Sequence, residues 1–133
     1  MKTTIMSGVF AGLLTFAALA HADDTAALID LDKKWGESQG AEEQSSLLLD
    51  SMIQIGVDGL GNKASMLAAA EEAEPTSEPY MAGDYKVQFL SDSIAVMVHS
   101  TPAPEPHWSM HVWQKVDGKW QVAATAAVPA SED

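Results

Sequence analysis

The run His111–Val122, HVWQKVDGKWQV, constrains this chain more than any other stretch. Asp-Gly between two segments rich in β-branched and aromatic residues is the strongest short-range hairpin signal, because both turn positions need positive φ. A two-residue turn fixes register, so Val116 is expected to pair with Lys119. Counting back sets His107, Ser109, His111, Trp113 and Lys115 on one face, opposite Val128, Ala126, Ala124, Val122 and Trp120. The other face carries Trp108, Met110, Val112, Gln114 and Val116, opposite Ala127, Thr125, Ala123, Gln121 and Lys119. Neither face is polar enough to stand simply in water. One is expected to take helices. The other leaves Trp108, Met110 and Val112 as an apolar patch that asks for a partner, and homodimerisation through the sheet is the expectation. A bulge in either strand would exchange the faces beyond it.

Period-two alternation extends upstream. Tyr85, Val87 and Phe89 alternate with Lys86 and Gln88, and Ile94, Val96 and Val98 alternate with Ala95, Met97 and His99. Ser91-Asp92-Ser93 reads as the turn between them. Pro102, Pro104 and Pro106 break pairing. Before Tyr85 the period is helical. Ala27, Leu28, Leu31 and Trp35 predict a helix from Asp24 to about Ser38. A second short helix is expected over Glu42–Leu49, then a short strand over Met52–Ile55 and a turn over Gly56–Gly61. Asn62 is placed to cap a third helix ending near Ala73, with Met66, Leu67 and Ala70 inward. The acidic run Glu71–Pro79 reads as a solvated loop rather than a calcium site. Helices followed by strands give an α+β class, three N-terminal helices on one face of an antiparallel meander.

The first residues read as an address. Met1-Lys2 supplies charge, Ile5–Leu19 carries none, and Ala20-His21-Ala22 precedes Asp23-Asp24. This is the order of a secretory signal peptide cleaved after Ala22. The apolar run is shorter than the roughly 20 residues a membrane span needs. Residues 1–22 are therefore the expected leader and 23–133 the domain, with a periplasmic or secreted location and no membrane contact after cleavage. The chain has 133 residues, 19 acidic against 7 basic, all lysine, and a net charge of −12. That balance disfavours nucleic acid and anionic lipid. With 47% hydrophobic residues it is no disordered acidic tail. The absence of cysteine excludes thiol catalysis, disulfides and thiolate metal sites.

Leu31 and Trp35 in the first helix, Leu48-Leu49-Asp50, Asp58-Gly59, Lys63, Met66-Leu67 and above all His111–Val122 resemble the nuclear transport factor 2-like superfamily. The nearest likeness is to its secreted SnoaL-like group. The resemblance runs from about Asp24 to Pro129. It implies a cone: a curved sheet of four to six antiparallel strands wrapping three helices in its concave face, a cystatin-like α+β roll with an apolar pocket at its open end. It also implies dimers through the sheet. Members include ketosteroid isomerases, polyketide cyclases and dehydratases, so fold alone does not settle function.

The carboxylates that the resemblance associates with isomerase and cyclase chemistry have no match. Ile55 and Gly56 stand where the isomerase base would be, and the late strands hold no Asp or Glu. Asp58, Asp92 and Asp117 sit in turns, and Glu105 in the proline loop. Histidine remains as a group able to move protons near neutral pH. His111, on the face of Trp113, is the best catalytic candidate, with His99 one strand away. Trp35, Met52, Met66, Tyr85, His99, His111 and Trp113 are the expected pocket lining. No cofactor is expected, and no metal: His107 and His111 are about 13 Å apart along a strand, and no carboxylate looks placed to complete a set. The favoured expectation is an exported domain that binds a small apolar ligand without catalysis. An isomerase, dehydratase or cyclase acting through His111 is the second reading, and an open pocket with His111 at its base would favour it. A self-association module for a partner protein is the third, and a pocket filled by Trp35 and Trp113 would favour that.

Overall fold

The structure, a computed structural model, describes the backbone of residues 12–131 and the side chains of residues 21–131. The start of the expected leader, Met1-Lys2 and the residues up to 11, lies outside the described residues. The order of elements is α1 (Gly12–Glu37), α2 (Ala41–Ser45), β1 (Leu48–Gly56), β2 (Gly59–Asn62), α3 (Lys63–Glu72), β3 (Met81–Ser91), β4 (Ile94–Ala103), β5 (His107–Val116) and β6 (Lys119–Pro129). The six strands form one sheet in the order β2-β1-β6-β5-β4-β3.

The final hairpin turns at Asp117 (φ 51°) and Gly118 (φ 76°), both left-handed as a primed two-residue turn demands. The expected register holds from Val116↔Lys119 to Trp113↔Val122. It then shifts by one residue, so that Val112 pairs with Ala124 and His111 with Thr125. Ala123 is the extra residue of a β-bulge, which bends and twists the strand. The shift corrects the pairing expected for the outer half of the hairpin. Thr125 and Ala127 stand inward beside His111 and Ser109, while Ala124, Ala126 and Val128 join Val112, Met110 and Trp108 outside.

Three other expectations are corrected. The sheet is mixed: β1 runs parallel to β6, with Leu48↔Val122 and Ile53↔Ala124. The stretch Leu47–Leu49 is not helical. α2 ends at Ser45, and Leu47 and Leu48 are buried at the start of β1, where a strand takes them into the core. The three helices do not all precede the sheet, because α3 follows the β1–β2 hairpin, whose turn is Val57-Asp58. The N-terminus of α3 is as expected. Asn62 Oδ1 accepts from the Ser65 amide at 3.0 Å, and Ser65 Oγ accepts from the Asn62 amide at 2.9 Å, a reciprocal cap.

α1 is longer than its apolar period suggested and runs unbroken through Ala22, the expected cleavage point. Among the described residues no helix is long and apolar enough to cross a membrane. Leu28, Leu48, Met52, Ala95, Met97, Trp113, Trp120 and Val122 make the core, with Leu31, Trp35, Met66, Leu67, Tyr85, Val87 and Phe89 packed against it. The N-terminal part of α1 is fixed from the sheet side. His21 stacks on Phe89 with ring centroids 4.4 Å apart, and Asp24 meets Lys115 and the indole N–H of Trp120 at 3.4–3.5 Å.

Candidate functional site

Asp32, His99 and His111 converge from three elements. Asp32 lies on α1, four residues after Leu28 and three before Trp35, so helical geometry puts it on the face turned to the sheet. His99 and His111 point inward from β4 and β5. The ladder pairs Met97 with His111 and His99 with Ser109, which makes the two imidazoles diagonal neighbours on one face. The three side chains are buried, at 1%, 1% and 5% exposure.

Hydrogen bonding assigns the protons. His99 Nδ1 lies 3.2 Å from the Ser100 carbonyl, which only accepts, and 3.3 Å from the Thr101 hydroxyl, which can accept or donate, so a proton on Nδ1 satisfies both contacts. His111 Nδ1 lies 2.7 Å from Thr125 Oγ1, a hydroxyl that can donate. The two Nε2 atoms are 3.0 Å apart, and each has its own carboxylate oxygen: His99 Nε2 at 3.3 Å from Oδ2, His111 Nε2 at 3.2 Å from Oδ1. Tyr85 donates to Oδ2 at 2.8 Å. A carboxylate this deep needs a positive partner. A proton on His99 supplies it: His99 is imidazolium, Asp32 ionised and His111 neutral, its ring bonded at Nδ1 to Thr125 and at Nε2 to both Asp32 and His99.

The electrostatics agree. Burial opposes the charge on His99, but the bond and charge of Asp32, with the Ser100 carbonyl, outweigh it and hold the ring above the ordinary imidazole range. For His111 burial weighs most. Asp32 recovers part of it, His99 and His107 push the other way, and the ring ends below the ordinary range. Burial would raise Asp32, yet the bonds and charges of both histidines override it and hold the carboxyl well below the usual range. Tyr85 is pushed up by burial and by Asp32. Tyr80 is pushed up to about 12 by burial first and then by the charge of Asp32, so it stays a donor.

A cavity of about 430 Å³ opens onto this cluster. Its polar wall includes Asp32, Tyr80, Ser109, His111 and Thr125, and its apolar wall Trp35, Met66 and alanines of α3. No lysine lines it. Of the residues expected to line a pocket, Trp35, Met66 and His111 do so. Tyr85 and His99 stand behind the wall as partners of Asp32. Met52 and Trp113 lie in the core, at 1% and 0% exposure, because Trp113 sits on the closed side of β5 under α1. Trp108, Met110 and Val112 lie together on the outer face. His107 reaches the cavity mouth and donates from Nδ1 to the Glu105 carbonyl at 2.6 Å.

Asp32 is the residue the sequence reading missed. The resemblance points instead to the end of the second helix and to the late strands. The available signal was Asp32 itself, one acidic residue on the stripe of Leu28 and Trp35. It also removes the argument against a metal, since α1 supplies the carboxylate that seemed lacking. The ligating atoms of Asp32, His99 and His111 lie within 4.8 Å of one another.

The sequence matches no protein-family model and no curated protein. Its structure resembles solved ones. An NTF2-like protein from Cytophaga hutchinsonii is 19% identical, with a TM-score of 0.65 over 79% of this chain and 97% of that one. An NTF2-like protein of unknown function from Shewanella baltica is 13% identical, with a TM-score of 0.68 over 86% and 97%. The hexachlorocyclohexane dehydrochlorinase LinA-type3 from Novosphingobium barchaimii is 10% identical, with a TM-score of 0.71 over 86% and 91%. At these identities the likeness is one of fold: this chain has the NTF2-like, cystatin-like α+β architecture.

Proposed function

We propose that this domain is a small-molecule enzyme that removes a proton from carbon beside a carbonyl or leaving group. The observation that carries the reading is the buried Asp32–His111 pair at the base of an open cavity. An ionised carboxylate that fixes one nitrogen of an imidazole leaves the other basic. Here Asp32 holds Nε2–H, and the lone pair of Nδ1 meets the Thr125 hydroxyl on the cavity wall. A substrate C–H delivers its proton to this Nδ1–Thr125 pair, and its electron pair becomes an enolate. Tyr80, still protonated, is a donor for the oxyanion. Two imidazoliums around Asp32 then balance the enolate charge. If a leaving group sits on the next carbon, the same pair expels it, as the name dehydrochlorinase implies for the LinA-type neighbour. The binding-only reading rested on missing carboxylates, which Asp32 supplies. A pocket filled by Trp35 and Trp113 would favour the self-association module; Trp35 forms one wall of the open cavity and Trp113 lies outside it.

The substrate class is uncharged. No lysine lines the cavity, and the imidazolium of His99 stands behind its wall, committed to Asp32. The test uses 2-tetralone, a neutral ketone with acidic protons at C1. Metal-free protein in D2O should speed loss of the C1 proton signals. His111→Ala should lower that rate by about 10²- to 10⁴-fold, the usual contribution of a positioned base. Equal exchange in the variant would sink the reading.

Two further proposals stand with it. The chain is exported through residues 1–22, which the order of charge, apolar run and small residues supports. Two copies pair through the outer sheet face. There Ile53, Ile55, Leu60, Trp108, Met110 and Val128 are 46–89% exposed, and none of them is charged. In a chain of net charge −12, that face is one two copies can share without bringing like charges together.

A further inference from the structure

We propose that Asp32, His99 and His111 also form a binding site for a divalent transition-metal ion, and that the ion switches off the base. The inference concerns the side chains of the reading above and rests on it only for the inhibition. Donor atoms about 2.0–2.2 Å from one cation lie roughly 2.9–3.4 Å from each other in octahedral or tetrahedral geometry. Here the two Nε2 atoms are 3.0 Å apart, and each lies 3.2–3.3 Å from its own oxygen of Asp32, His111 from Oδ1 and His99 from Oδ2, so the carboxylate meets the ion through both oxygens. Two imidazole nitrogens and one carboxylate suit zinc and the neighbouring first-row ions.

The surroundings fit ligation as well. Histidine ligands usually have their second nitrogen tied, and ligating carboxylates are themselves hydrogen-bonded. His99 Nδ1 donates to the Ser100 carbonyl, His111 Nδ1 is held by Thr125, and Asp32 Oδ2 accepts from Tyr85. Asp32 and His111 both line the cavity, so a remaining coordination position faces it.

The switch follows from the protons. A metal on Nε2 of both rings releases the second proton of His99. It also moves the proton of His111 from Nε2 to Nδ1. Nδ1 then donates to Thr125 and has no lone pair, so it is no longer a base. The cation and the proton on His99 are alternative ways of balancing Asp32.

The test begins with protein freed of metal by chelation. Titration calorimetry with Zn2+ should saturate at one ion per chain. Co2+ should give the visible absorption bands of a nitrogen–oxygen site, a measurement that needs no variant. His99→Ala should weaken Zn2+ binding by at least tenfold, Thr125→Val by about tenfold, and His107→Ala, outside the cluster, by less than twofold. Nitrogen-15 spectra should show His111 changing from the Nε2–H to the Nδ1–H tautomer as Zn2+ is added, and 2-tetralone exchange should stop. Absence of saturable binding, equal binding in His99→Ala, or an unchanged His111 tautomer would overturn the proposal. These readouts need no substrate. A metal-free protein without exchange activity would instead count against the proposed enzyme alone.

Discussion

Gly36 shows how closely one residue governs this cavity. It sits one residue after Trp35 on α1, and a Cβ there would overlap the ring of Tyr80. Gly36→Ala is therefore expected to push Tyr80 off α1. A small-to-large change in a packed site costs about 1–3 kcal/mol, readable by urea unfolding. Exchange of 2-tetralone should fall while the His111 tautomer stays unchanged, because the loss is of the oxyanion donor and not of the base. Full activity in the variant would remove Tyr80 from the proposed reaction. At this scale the sequence was half legible. His111 and His99 stood out as titratable residues on apolar strands. Asp32 did not, because LIDLDKKW holds two acidic residues and only the helical offset from Leu28 and Trp35 separates the inward one from Asp30.

At the scale of elements, the informative departures are where pairing is not local. The Asp117-Gly118 hairpin, its strand limits and the cap of α3 follow from neighbouring residues and could be read directly. The bulge at Ala123 could not. A run of small residues, AATAA, has no side chain large enough to specify a face, so the sheet's curvature decides the register. That one extra residue puts Thr125 against His111 rather than outside it. β1 was read too short because Asp50, Ser51 and Gln54 interrupt its apolar pattern, and its neighbour β6 is remote in sequence. α3 lends itself to a test at this scale. It supplies Met66, Ala69 and Ala70 to the cavity wall, and its first turn depends on Asn62. Asn62→Ala should cost about 1 kcal/mol in urea unfolding, the usual value of a lost cap. Unchanged stability would show that packing alone holds the helix.

For the whole molecule, the asymmetry between the two sheet faces matters most. The concave face is closed by α1 and holds the core and the cavity. The convex face shows aliphatic and aromatic side chains across β1, β6 and β5. If two copies meet there, sedimentation velocity of the wild-type protein gives a dimer, and Trp108→Lys, which sets a charge at the centre of the patch, gives a monomer of unchanged fold. A wild-type monomer at micromolar concentration would end the dimer proposal. The α+β class was legible from the change of period near Tyr85, whereas the mixed sheet and the place of α3 after the β1–β2 hairpin were not.

The parallel seam between β1 and β6 sets an order of events during synthesis. β1 emerges early, but the strand it needs beside it is the last one made. Until then its only ladder is the short hairpin with β2, and one side of it is open to strangers. Chains cut off before Val122 would keep that open border for good, and they should clump while the full-length chain stays dispersed.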